Sequence, residues 1–211
     1  MHLPDGFLDT KTWVAMDVAA TAVAAVAVRR ASKNLEEKQV PMMGIMAAFI
    51  FAAQMLNFPV LGGTSGHLLG GVLAAILLGP WAAALVMIAV FIVQALFFQD
   101  GGLLALGANV FNMGLIGTIG GYCLYRFIRL LVRGDKGILA GAGIAAWTTV
   151  VLGSVATAFE LAVSGTTPLK VVLPAMTAVH VVIGLGEAVI TVMIITFILR
   201  VRRDLIPGAE E

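Results

Sequence analysis

The stretch Trp81-Ala-Ala-Ala-Leu-Val-Met-Ile-Ala-Val-Phe-Ile-Val-Gln-Ala-Leu-Phe-Phe98 contains no charge and one strongly polar side chain, Gln94. An α-helix needs about 20 apolar residues to cross the hydrocarbon of a bilayer, and the unbroken run excludes the alternating pattern of a barrel strand. Gly79-Pro80, just before it, interrupts the helical hydrogen-bond ladder, so the apolar residues from about His67 to Leu78 form a separate, shorter segment. Outward from this pair lie further runs: Thr12 to Val28, Met42 to Val60, from Gln99-Asp100-Gly101-Gly102 on to Leu131, Ile138 to Val163, and Val171 to Leu199. The expectation is an all-α integral membrane protein, a bundle of seven transmembrane helices forming one domain over residues 1–211. Residues 1–11 precede the first helix and 200–211 form a tail.

Composition agrees. Of 211 residues, 60% are hydrophobic and 12% charged, with a mean hydropathy of +1.02, against roughly 25% charged in an ordinary soluble domain. A formal net charge of +1 implies neither nucleic acid nor an acidic macromolecule as partner. The single cysteine, Cys123, excludes an internal disulfide and reads as a small apolar filler.

Basic residues are distributed unevenly among the loops. With seven crossings and the N-terminus outside, the cytoplasmic face receives Arg29, Arg30, Lys33, Lys38, Arg126, Arg129, Arg133, Lys136, Arg200, Arg202 and Arg203, whereas only Lys11 and Lys170 fall outside. This is a strong positive-inside bias, and an even number of crossings would put one basic cluster on the wrong side. The expected orientation is N-terminus outside and C-terminus cytoplasmic, in a multi-pass protein of the cell membrane.

No basic region precedes the first apolar run and no small-residue cleavage site ends it, so the mature chain is expected to begin at Met1. A large residue at position 2 discourages removal of the initiator methionine, which leaves a free amine beside His2. The α-amine, the deprotonated His2 amide nitrogen and the imidazole Nδ1 can close two fused chelate rings, placing three nitrogens in one plane. A fourth nitrogen completes a square-planar site of the kind nickel(II) or copper(II) favours. His67 is the candidate: it follows Leu61-Gly62-Gly63-Thr64-Ser65-Gly66, a loop on the same face as the N-terminus, whose glycines permit close backbone approach. Pro4-Asp5-Gly6 is a turn signature able to send the tip inward. On the residues alone, a frayed, solvated terminus stands beside this reading.

The segments Met1-His2-Leu3-Pro4-Asp5-Gly6-Phe7-Leu8, Ala52-Ala53-Gln54-Met55-Leu56-Asn57-Phe58-Pro59-Val60, Gly62-Gly63-Thr64-Ser65-Gly66-His67-Leu68 and Gln99-Asp100-Gly101-Gly102 resemble the CbiM/NikM family. These are the substrate-binding S components of energy-coupling factor transporters for cobalt and nickel. The resemblance covers nearly the whole chain; Leu3, where isoleucine is commoner, is a conservative departure. It implies Ni(2+) or Co(2+) as transported substrate, held by Met1, His2 and His67. It also implies partners: a transmembrane coupling (T) protein, two cytoplasmic ATPases and often a small accessory membrane protein.

The chain itself has no phosphate-binding G-x-x-x-x-G-K-[S/T] loop, and no nucleophile and base stand at catalytic spacing, so a transport subunit rather than an enzyme is expected. Gly44, Ala48 and Ala52 form a small-residue stripe suited either to a partner helix or to packing within the bundle. The alternative function is an autonomous proton-coupled metal carrier relaying protons through His180, Glu187 and Glu160. Each of these three reads first as half of a buried interhelical pair, and His180 is the best candidate for more. Asn57, Gln94, Gln99, Asn109 and Asn112 are candidate hydrogen-bonding supports for the site. Because a free α-amine titrates near 8, cation binding is expected to release protons and to weaken steeply in acid.

Overall fold

The computed structural model describes residues 1–35, 37–56, 58–60 and 64–209. Asn57, Gly62 and Gly63 therefore lie outside the described residues. Among the described residues seven main helices follow one another: α1 (Thr10–Asn34), α2 (Val40–Gln54), α3 (Gly71–Leu78), α4 (Pro80–Val93, continued by a π-helical turn Gln94–Phe98), α5 (residues 106–131), α6 (Gly134–Val163) and α7 (Leu169–Val201). A short hairpin, β1 (Phe58–Val60) and β2 (Thr64–Gly66), is paired antiparallel with Phe58 opposite Gly66.

Local chemistry sets these boundaries. Asp9 caps α1 by accepting the Thr12 N–H at 3.1 Å. Gly79, at φ +79°, ends α3 in a conformation that side chains resist, and Pro80 supplies the first residue of α4. The second apolar run was expected to remain helical to Val60, but α2 stops at Gln54. Pro59 disfavours helical geometry at the residue before it and has no N–H to continue the ladder, so the chain turns into β1 instead.

Among the described residues four helices, α1, α4, α6 and α7, are long and apolar enough to cross a membrane. Helix α3 has only 8 residues, about 12 Å of helix against the roughly 30 Å of hydrocarbon. Residues 67–70, which are not helical, lead into it. In α5, a π-helical middle (Val110–Gly120) joins Leu106–Asn109 to Gly121–Leu131. Large apolar side chains such as Phe97, Leu130 and Val163 point away from the bundle, each 75% exposed, as a lipid-facing surface requires.

The two ends of the bundle differ in chemistry. At one end Arg203 pairs with Asp135, Arg129 donates to the carbonyls of Pro207 (2.9 Å) and Gly208 (2.7 Å), and the Arg30 guanidinium stands 5.4 Å from the Trp81 ring centre. Termini of α1, α5, α6 and α7 thus gather their basic residues around the C-terminal tail, whose Ile206 is buried. The N-terminal segment closes the opposite end.

Candidate functional site

Residues 1–3 are inside the protein: Met1 and Leu3 are fully buried and His2 is 4% exposed. Leu3 is clamped on both backbone groups. Its N–H donates to Asn109 Oδ1 (2.8 Å), and its carbonyl accepts from Asn109 Nδ2 (3.1 Å) and from the Gly102 N–H (2.8 Å). The Asp5 carboxylate accepts the N–H groups of Leu103 (3.2 Å), Leu104 (2.8 Å) and Ala105 (3.3 Å), which precede α5 and lack helical partners. Further along, the Phe7 carbonyl accepts from Thr166 Oγ1, and Asp9 from Ser164 Oγ at 3.2 Å. The segment is a plug tied to α5 and to the α6–α7 loop.

Glycines make room for it. Gly101 has φ +99°, and a Cβ there would lie 3.0 Å from both His2 Nδ1 and Asn109 Nδ2, while one at Gly102 would overlap Asp5. A Cβ at Gly153 of α6 would stand 3.4 Å from the Met1 thioether sulfur. Gly101→Ala should therefore displace His2 as well as straining the backbone by about 1–3 kcal/mol. The expected outcome is roughly a tenfold or greater loss of cation affinity, with the helices still folded and their thermal unfolding lowered by a few degrees at most. Equilibrium dialysis and calorimetry check the two parts.

His2 and His67 meet inside this plug, ring centres 4.6 Å apart, with the Phe91 ring edge-on to His2 at 5.6 Å. His67 is 1% exposed. Its Nδ1 lies 2.7 Å from the Leu68 carbonyl, which can only accept, so Nδ1 carries the hydrogen and Nε2 keeps its lone pair. That Nε2 is buried and has no hydrogen-bond partner among the described residues. The structure brings together Met1, His2 and His67.

The chain following His67 is fixed from below. Glu187 of α7, 4% exposed, accepts the N–H groups of Leu69 (2.8 Å) and Gly70 (2.6 Å) at the start of α3. Gln54 donates to the Leu69 carbonyl (2.9 Å), and Gln94 in turn donates to Gln54 (3.0 Å). Glu187 was expected to pair with another helix; it holds the His67 segment instead. Replacing Glu187 by Ala should cost about tenfold in cation affinity through the His67 segment, and Glu187→Gln, which keeps one acceptor, should cost less. Isothermal titration of both variants checks the order.

The remaining polar residues separate into contributors and bystanders. Asn109 clamps Leu3, Gln94 supports Gln54, and Asn112 donates to Glu160 of α6 (2.6 Å). Gln99 is exposed. His180 of α7 is fully buried, and the positive charge it carries when protonated is felt at His67. Asp5, Gly101 and Gly102 were not singled out as site-building residues, although the Pro4-Asp5-Gly6 turn and the Asp100-Gly101-Gly102 run carried the signal.

Burial dominates the electrostatics. It lowers the Met1 amine from 8.0 to about 4, against the attraction of Asp100. His2 falls to about 3, first through burial and then through the nearby amine, despite a hydrogen bond to the Asp100 backbone. His67 lies well below 6.5 for the same first reason, with the charges of the amine, His2 and His180 adding to it. Asp100, whose Oδ1 is 3.9 Å from His2 Nδ1, is raised by burial and lowered by the amine. At neutral pH the cluster offers unprotonated nitrogens to an electrophile. Among the described residues no three His, Cys, Asp or Glu side chains converge as a metal cage.

A helical multi-pass membrane protein whose own N-terminus packs a nitrogen-rich cluster into one end of the bundle is the class defined by this geometry. Residues 2–205 match CbiM, described as the cobalt uptake substrate-specific transmembrane region, and the chain belongs to that family. A relative in Archaeoglobus fulgidus, provisionally named a fused nickel transport protein NikMN, is 42% identical over 208 residues, covering 98% of this chain and 68% of its own. The cobalt transport protein CbiM of Sorangium cellulosum is 34% identical over 212 residues, covering 96% and 92%. A crystal structure of a transition metal transporter superposes with a TM-score of 0.89 at 37% identity, over 95% of this chain and 93% of that one.

Proposed function

We propose that this chain is the substrate-binding membrane subunit of an energy-coupling factor importer and captures Ni(2+) or Co(2+) at the extracellular face. The named relatives are nickel and cobalt transport proteins, which supports metal uptake rather than enzymatic chemistry. The ion is held by the Met1 α-amine, the His2 amide nitrogen and Nδ1, and His67 Nε2. The observation that carries this reading is the meeting of the buried N-terminal residue with two imidazoles 4.6 Å apart. Four nitrogens in one plane suit nickel(II) by geometry, and cobalt(II) by donor type.

In this reading the N-terminal plug faces outward and the basic end with the tail 200–211 faces the cytoplasm. Energy comes from partners: a transmembrane T protein, two cytoplasmic ATPases and a small accessory membrane protein. Gly44, Ala48 and Ala52 are all exposed on α2, which favours their use against another chain over packing within the bundle. Glu187 and Glu160 are engaged with the Leu69–Gly70 backbone and with Asn112, which weighs against a proton relay.

The test is binding and uptake measured separately. Purified chain should bind nickel and cobalt with one ion per chain, and membranes containing it should accumulate the ion only together with an ATPase-bearing partner. ATP-independent accumulation by this chain alone, abolished when the proton gradient is dissipated, would favour an autonomous carrier.

A further inference from the structure

The chain has three histidines, and the reading above uses two. The third, His180, lies in α7 with no exposed surface. Its Nδ1 is 2.7 Å from the Met176 carbonyl one turn earlier. Since a carbonyl only accepts, Nδ1 carries the hydrogen, and the neutral ring presents its lone pair at Nε2. That Nε2 is buried without a hydrogen-bond partner among the described residues. His67 is in the same condition for the same reason, its Nδ1 bound to Leu68 and its Nε2 bare. Leaving such an acceptor unsatisfied is costly, and a backbone carbonyl orienting the opposite ring nitrogen is how metal-binding imidazoles are commonly held.

The two rings share a neighbourhood. The α-amine and His67 both lie within electrostatic reach of His180. The buried face of α7 that carries His180 continues through Gly184 to Glu187, which grips the backbone of Leu69 and Gly70 just beyond His67. One helix therefore sets His180 and the His67 segment relative to each other. The three imidazoles do not close on a single point, because no three-side-chain cage is present among the described residues. His180 is thus placed for a separate position that shares His67 with the first.

We propose that His67 and His180 form a second two-imidazole position, which receives the cation when the Met1 amine and the His2 nitrogens let go. The inference rests on the N-terminal chelate reading. A divalent ion leaving the chelate would otherwise keep one protein donor in an apolar bundle, at high cost. As the ion transfers, the His2 amide regains the proton it lost on binding, and His180 Nε2 donates its lone pair without any proton change.

The test uses the full-length chain with ¹⁵N-labelled histidine, whose three imidazoles are assigned from the His2 and His67 variants. Zinc(II) is the probe, since it is diamagnetic and prefers tetrahedral over planar donors. Added to His2→Ala protein, zinc should shift the Nε2 resonances of both His67 and His180 together. In the His2→Ala background, His180→Gln should weaken residual zinc and nickel binding by about tenfold or more. In the native background the same change should alter equilibrium nickel affinity by less than about threefold. A zinc shift confined to His67, or residual binding indifferent to His180→Gln, overturns the proposal. The resonance measurement keeps His180 intact, so it decides even where His180→Gln fails to fold. If His2→Ala binds nickel as tightly as the native chain, the N-terminal chelate itself is wrong.

Discussion

Replacing His2 by alanine should weaken nickel binding by about a thousandfold or more, and replacing His67 by about a hundredfold, with the helices intact in both. Four-donor protein sites hold divalent ions with about 10–16 kcal/mol, so each nitrogen is worth about 3 kcal/mol, or roughly a hundredfold. His2 removes a donor and also one of two fused rings, which is why its loss exceeds that of His67. Adding one alanine before Met1 gives a sharper result. Met1 is fully buried and Leu3 is fixed by Asn109 and Gly102, so an additional residue cannot enter and the buried site is lost. The extended terminus now has histidine in third place, and its amine, two amides and imidazole can bind nickel alone, outside the bundle. Any binding that persists in the extended chain should therefore be unaffected by His67→Ala. Titration of the four combinations separates the two sites; His67 dependence surviving the extension would contradict the buried chelate.

Proton release is the second large effect. An exposed amine would have to shed a proton near neutrality, as the sequence alone suggests, but burial has already lowered the Met1 amine to about 4 and His2 to about 3. Binding to the docked segment should then release about one proton per ion near pH 8, the one from the His2 amide. Both groups have lower values docked than free, so the undocked segment binds more protons and docking is strongest at high pH. It weakens as pH falls below about 8, where the free amine protonates, at about 1.4 kcal/mol per unit, and faster below about 6.5, where the free imidazole joins. Released protons should rise toward about three per ion in that acid window, and affinity should fall correspondingly steeply. Calorimetry in buffers of different ionisation enthalpy measures this. A constant two protons from pH 8 to 6 would mean that the amine titrates as though exposed.

Apolar runs made the bundle readable because lipid demands the same chemistry along a whole helix, and Gly79-Pro80 marked a real break. Helix lengths were less readable. Nothing in an apolar run says that α3 begins only at Gly71, or that Pro59 ends α2 several residues early. That Met1, His2 and His67 come together was legible because the turn at Pro4-Asp5-Gly6 and the glycine loop lie on one face, and the fold packs the three residues side by side. Their supports were opaque, since they act through backbone groups: Asn109 on Leu3, Asp5 on residues 103–105, Glu187 on Leu69 and Gly70. A carboxylate in a membrane helix suggests a charged partner, and only the fold reveals that two peptide N–H groups take that place.

The most direct test is an anomalous difference map of the protein loaded with nickel. One strong peak is expected in the N-terminal plug, in plane with the Met1 amine, the His2 amide nitrogen and Nδ1, and His67 Nε2. A peak elsewhere, with residues 1–3 packed as they are and holding no ion, would contradict the N-terminal chelate.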